Sequence, residues 1–277
     1  MDKAVETSVL RVRGLGASRV EDWVAVERPL EIRARSGGGD ELVISTTMRT
    51  PGEDRALVAG FLFSERVISA AAQILSLESV GEDTVLIGLG ADAEAALEAT
   101  RRPFVTTGAC GVCGRATLDS LLAAVPARDG AADHLDHHPQ ISTAVVHGLP
   151  GALRAAQDAF AQTGGLHAAG LFTLEGQPRS VHEDVGRHNA VDKLVGTLLL
   201  EGRLAAARNS VLVVSGRASF ELVQKAAAAR IPVMAAVGAP SSLAVAIASR
   251  AGMTLLGFVR DGGFNVYSGA ARIVGHT

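Results

Sequence analysis

The chain has 277 residues, 48% of them apolar, and a formal net charge of −3. That length suits one large or two modest domains, and the apolar fraction supports a buried core, which excludes a disordered chain. The mild acidity argues against general binding to nucleic acid or membrane surfaces.

The opening stretch, MDKAVETSVLRVRGLG, lacks a continuous apolar segment and a small-residue cleavage site, so no signal peptide is expected. Residues 20–33 and 41–48 are rich in β-branched side chains and flank SGGGD at 36–40, which predicts a hairpin. In TPGEDRALVAGFLFSE, Thr50, Pro51 and Glu53 predict a capping box for a helix whose apolar face carries Leu57, Phe61 and Leu62. A strand over 83–89 and an Ala/Glu-rich segment over 91–101 follow, then TTGACGVCGR at 106–115 and a helix over 116–124. The polar stretch 126–139, with proline at both ends, reads as a linker, and a domain boundary is placed there, dividing the chain into 1–132 and 133–277.

The second part alternates more regularly. A helix near 150–162 precedes strands near 168–174 and 179–184, and residues 186–202 predict an amphipathic helix with Asp184 as its cap. Strand 210–214, helix 218–229, strand 232–237, helix 241–251 and strand 254–260 complete an α/β layered pattern. The long apolar run over 233–259 is punctuated by Gly238, Pro240, Ser241, Ser242, Ser249, Arg250 and Gly252, which fits strand, helix and strand better than a membrane span. The protein is therefore expected to be soluble and cytoplasmic, without membrane or nucleic-acid partners.

Cys110 and Cys113 are the only cysteines, framed by Gly108, Gly111 and Gly114 and followed by Arg115 and a helix. In a reducing compartment a C-x-x-C pair points to catalysis or metal binding more than to a structural disulfide. A helix N-terminus and an adjacent arginine lower a thiol pKa, which favours a reactive thiolate. A thioredoxin-like redox centre, a zinc site completed by His134 and His137, and two ordinary buried cysteines remain open on spacing alone. A zinc nucleobase deaminase is excluded, because no histidine precedes residue 134 and Ala109 stands where that signature has proline.

A second dense polar set comprises His167, His182, Glu183, Asp184, Arg187, His188, Asn189, Asp192 and Lys193. It reads either as a capped helix with a solvated polar face or as a pocket for an anion at a helix N-terminus. Ser215, Gly216, Arg217 and Ser219 in SGRAS, and GAPSSLA at 238–244, lie in turns after strands, where open α/β sheets bind ligands. With Arg260-Asp261-Gly262-Gly263 after the last strand, they suggest a nucleotide- or phosphate-bearing ligand.

These segments resemble the formate dehydrogenase accessory sulfurtransferase family, FdhD/NarQ. The resemblance covers ERPLEIR (27–33), MRTPGEDRALVAGFLFSE (48–65), FVTTGACGVCGRATLDSL (104–121), TGGLHAAGLF (163–172) and EDVGRHNAVDKLVG (183–196). It continues through residues 215–248 and GFVRDGGFNVYSG (257–269). It implies an α+β N-terminal domain followed by a cytidine-deaminase-like three-layer α/β domain. It also implies a sulfur carrier that accepts persulfide sulfur from a cysteine desulfurase. The sulfur then passes to the molybdenum cofactor, Mo-bis(molybdopterin guanine dinucleotide), before that cofactor enters formate dehydrogenase. On the same resemblance, Cys110 carries the persulfide with Cys113 as its partner, and Phe258, Val259, Arg260, Asp261, Gly262 and Gly263 contact the cofactor. Ser215, Gly216 and Arg217, from the reading of the turns, and His167 and His188, from the polar set read as an anion pocket lined by imidazoles and an arginine, join them as expected contacts. No permanent metal is expected, and the resemblance implies a homodimer. A cofactor-binding chaperone without sulfur chemistry is the rival reading.

Overall fold

A computed structural model describes residues 2–35, 41–99 and 139–275. The hairpin turn expected at 36–40, the C-x-x-C loop, the helix over 116–124, the linker and the 132/133 boundary lie wholly or largely outside the described residues.

The first strands run as β1 (Ala4–Arg13), β2 (Gly16–Ala25), β3 (Arg28–Arg35) and β4 (Glu41–Arg49). The expected single strand over 20–33 is in fact two, because β2 closes an antiparallel ribbon with β1 while β3 pairs with β4. In β3, Leu30, Ile32 and Ala34 alternate inward and are buried, the two-residue period of a half-buried strand. With β5 (Ile74–Ser79) and β6 (Thr84–Leu89), these strands form a four-stranded sheet in the order β4-β3-β6-β5.

Helix α1 (Asp54–Ser64) starts later than its sequence suggests. Glu53 sits at φ 60 in the left-handed region and makes no capping bond, so the expected capping box does not form. Its parts are used elsewhere. The Thr50 hydroxyl accepts from the Val185 amide at 3.1 Å, and the Thr50 amide donates to Asp184 Oδ2 at 3.2 Å. Buried Arg49 anchors the start of α1, donating to both oxygens of Asp54 at 3.0 and 2.9 Å and to Asp83 at 3.0 Å. Helix α2 (Ala91–Ala99) follows.

After residue 139, β7 (Ile141–Ser142) leads into α3 (Thr143–Ala155) and α4 (Asp158–Thr163). The helix expected near 150–162 is thus two, the first beginning seven residues earlier. Ser142 Oγ caps it by accepting from the Val145 amide at 3.2 Å, and Pro150 is carried inside. Strands β8 (His167–Thr173) and β9 (Pro178–Asp184), helix α5 (Arg187–Leu200), strand β10 (Ser210–Val214), helix α6 (Phe220–Ala228) and strand β11 (Val233–Ala236) come next. Helix α7 (Ser242–Arg250) and strands β12 (Thr254–Arg260), β13 (Gly263–Ser268) and β14 (Ile273–Val274) complete the chain.

The main sheet has the order β13-β12-β11-β10-β8-β9, with β10, β11 and β12 parallel and β8 and β13 antiparallel to their neighbours. One face, with Val211, Val213, Val233, Ala235 and Leu256, packs with Val146, Leu149 and Leu153 of α3. The other, with Leu212, Val214, Met234 and Leu255, shares a core with α5, α6 and α7, so this half is a three-layer α/β structure.

Helix α5 is not the amphipathic helix expected. Residues 189–196 are all buried, because the main sheet covers one side and α1 the other. The two helices meet backbone to backbone. A Cβ on Gly60 would lie 1.9 Å from the Asp192 carbonyl oxygen, and one on Gly196 would lie 1.8 Å from the Ala56 carbonyl oxygen. Residues from both sheets, α1 and α5 form one continuous apolar core.

Candidate functional site

The carboxyl ends of β9, β10, β11 and β12 and the start of β8 lie along one edge of the main sheet, since Ala169 pairs with Val214 and His167 with Asp184. Helices α5, α6 and α7 begin at this edge, each presenting its unbonded N–H groups. The turns that lead into them are zipped together. The Gly238 amide donates to the Gly216 carbonyl at 2.9 Å, Ser241 to Ala218 at 3.0 Å, and Phe258 to Gly238 at 3.1 Å. His167, SGRAS, GAPSS and the segment from Phe258 therefore form one rim rather than separate loops.

Glycine is required within this rim. A Cβ on Gly238 would lie 3.0 Å from Arg217 Cγ, and one on Gly257 would lie 2.8 Å from Pro240 Cδ. Ser215 fixes the rim to β8, its hydroxyl accepting from the Ala168 amide at 2.9 Å. The α7 end is capped by Ser241 Oγ, which accepts from the Ala244 amide at 3.2 Å. The α5 and α6 ends have no side-chain cap. Ser219, at the α6 cap position, instead lies 3.3 Å from His188 Nε2, which also pairs with Glu221.

The dense polar set divides into two groups. Six of its nine members are structural. Glu183 accepts from the Ala159 and Phe160 amides at 2.9 and 2.7 Å, holding the start of α4. His182 Nδ1 lies 2.7 Å from Glu53 Oε1, with Ser180 Oγ 2.8 Å from its other nitrogen. Asp184 does not cap α5 in the expected way. Its Oδ1 accepts from Gly186 and Asn189, and its Oδ2 pairs with the Lys193 ammonium at 2.7 Å. Lys193 also donates to the Thr50 carbonyl at 2.9 Å, and Asn189 to the Met48 carbonyl at 2.7 Å. Lys225 grips both oxygens of Asp192 at 2.8 Å, and Ser64 donates to the same carboxylate at 3.0 Å. Burial pulls the Lys225 ammonium down, but Asp192, Glu65 and Glu221 outweigh it and hold its pKa above the ordinary value. The solvated polar face is not found: His182, Asp184, Asn189, Asp192 and Lys193 bond to residues of the first half of the fold, and Glu183 holds α4.

His167, Arg187 and His188 are the remainder, all half-buried at the rim. Arg187 Nε is enclosed and has no hydrogen-bond partner among the described residues. Burial, then the neighbouring Arg187 and His188, hold the His167 pKa below its ordinary 6.5 against the opposing pull of Asp184. His167 is therefore neutral at pH 7 and able to accept a hydrogen bond or a proton. Arg217, Phe258, Arg260 and Asp261 are exposed, whereas the Val259 side chain is buried in the core on the α3 face. Phe258 holds φ 53, a left-handed conformation unusual for an aromatic residue, where β12 loses its regular register with β13. Such strain persists where the surroundings impose it, often at ligand sites.

Glu221 is a rim residue that the sequence reading passed over. It stands two residues past SGRAS and pairs with His188 at the start of α5, a partner 33 residues earlier in the chain. Among the described residues no three of His, Cys, Asp and Glu are grouped to hold a metal ion. Cys110 and Cys113, with His134 and His137, lie outside the described residues. Among the described residues no helix is long and apolar enough to cross a membrane.

A family model for FdhD/NarQ matches residues 25–274. The chain belongs to the FdhD/NarQ family. A relative from Nocardia farcinica named sulfur carrier protein FdhD is 48% identical over 96% of this chain and 93% of its own length. Another of that name, from Thermoplasma acidophilum, is 43% identical over 99% and 96%. A crystal structure from Desulfotalea psychrophila, described as a formate dehydrogenase accessory protein, superposes with a TM-score of 0.75 at 26% identity. It covers 99% of this chain and all of that one. The family match spans both halves of the fold, including the rim and the α1–α5 contact.

Proposed function

We propose that the chain is a sulfur carrier for the maturation of formate dehydrogenase, working in the cytoplasm as a homodimer. The observation that carries this reading is the near-full-length similarity to proteins named as sulfur carriers. The Cys110 thiolate attacks the outer sulfur of a cysteine desulfurase persulfide, forming Cys110–S–S⁻ and returning the desulfurase cysteine as its thiol. The cofactor substrate, Mo-bis(molybdopterin guanine dinucleotide), takes up that sulfur. Where sulfur leaves as sulfide, Cys113 attacks Cys110 Sγ, and the two thiols supply both electrons by becoming a disulfide.

The rim supports the second half of this reading. Two helix starts without a side-chain cap, Arg187 whose Nε has no partner among the described residues, and exposed Arg217 and Arg260 suit the pyrophosphate oxygens of a dinucleotide. Exposed Phe258 offers a ring against which a guanine can stack. His167, neutral and adjacent to Gly216, can accept a hydrogen bond from the ligand.

The test is persulfide mapping. The protein is incubated with a cysteine desulfurase and cysteine, then digested without reductant and analysed by mass spectrometry. One added sulfur on the peptide containing Cys110, lost in Cys110→Ala, is the expected result. An adduct that survives in Cys110→Ala rejects the assignment. Formate dehydrogenase activity in cells carrying Cys110→Ala/Cys113→Ala would favour the chaperone reading instead.

A further inference from the structure

The ribbon of β1 and β2 is ten residues long on each side and is the whole of its sheet among the described residues. The ribbon packs on α4, yet it carries Leu10, Val12 and Trp23 exposed at 61%, 63% and 40%. A lone two-stranded ribbon is marginally stable in water, and β2 has neither proline nor lysine to blunt its edge.

The register fixes what that edge offers. Arg13 pairs with Gly16 around a two-residue turn at Gly14 (φ 59) and Leu15, and such a turn closes on a hydrogen-bonded pair. Bonding then alternates, so Ala17, Arg19, Glu21 and Trp23 direct their N–H and C=O groups away from β1. We propose that this edge is the interface with a second copy of the chain, the two β2 strands pairing antiparallel about a two-fold axis at Val20. This register sets Arg19 of each copy opposite Glu21 of the other, and Ala17 opposite Trp23, all at outward-bonding positions.

Charge selects this register. A two-fold axis perpendicular to the sheet preserves its faces, so the neighbouring registers are centred on Arg19 or on Glu21, placing like charges directly opposite. The free edge of β1 has no such match: self-pairing about Ser8 sets Glu6 against Leu10. In the resulting four-stranded sheet, Leu10, Val12, Ala17 and Trp23 of both copies share one face, giving the exposed side chains apolar neighbours.

The experiment is sedimentation velocity on the full chain, with far-UV circular dichroism to check folding. The native chain is expected to dimerise. Glu21→Arg and Arg19→Glu are each expected to weaken dimerisation about tenfold or more, and the double exchange Arg19→Glu/Glu21→Arg to restore it. A native chain that stays monomeric at about 100 μM, single variants with native self-association, or a double exchange no better than the singles would each overturn the proposal.

Discussion

Lys193 and Asp184 are fully enclosed, with charged atoms 2.7 Å apart, and carbonyl oxygens of Thr50 and Glu183 take up the remaining ammonium hydrogens. A buried ion pair is costly unless its remaining bonding capacity is met, and here it is met from both halves of the chain. That explains why most of the polar side chains of EDVGRHNAVDK are structural, with Arg187 and His188 left at the rim. The cations free for a ligand are others: Arg217 stands exposed on the rim without a partner among the described residues. If it meets a phosphate oxygen, Arg217→Ala should weaken guanine-nucleotide binding about tenfold, the loss expected for one charge-assisted hydrogen bond. Calorimetric titration of GDP into the native and variant proteins measures this. Equal affinities would remove Arg217 from the site.

The α1–α5 crossing is a matter of whole elements. Alanine is intrinsically the better helix former by about 1 kcal/mol, so Gly60→Ala or Gly196→Ala would stabilise either helix alone. In the fold each methyl meets backbone of the facing helix, which cannot swing aside as a side chain can. Each substitution is expected to cost about 3 kcal/mol or more, read as a lower urea midpoint. This contact also marks where the sequence ceased to be legible. The alternation from β10 to β12 could be read because each element there meets mainly its sequential neighbours. The capping box and the amphipathic α5 were misread because Thr50, Glu53, Asn189, Asp192 and Lys193 have partners more than 30 residues away. The rim turns at 215–219 and 238–242 were legible as strand-to-helix junctions, whereas their bonding to one another depends on the parallel order of the sheet.

At the scale of the molecule, Glu53 and His182 clasp the start of α1 to β9. Burial pushes the Glu53 carboxyl up, but His182, Lys3 and Lys193 prevail and hold it at about 2, below its ordinary 4.5. A carboxylate depressed by folding adds stability above pH 4.5, and that stability is lost as pH falls toward 2. Urea midpoints measured across this window should fall more steeply for the native chain than for Glu53→Gln. Parallel curves would show that the clasp adds nothing to acid stability.

The shared core also bears on how the chain is made. Helix α1 is synthesised early, yet the helix that covers Gly60 begins roughly 120 residues later, about 6–25 s at ordinary elongation rates. Through that interval the nascent chain carries an apolar helix whose natural cover has not yet left the ribosome. A chaperone would find its binding site there.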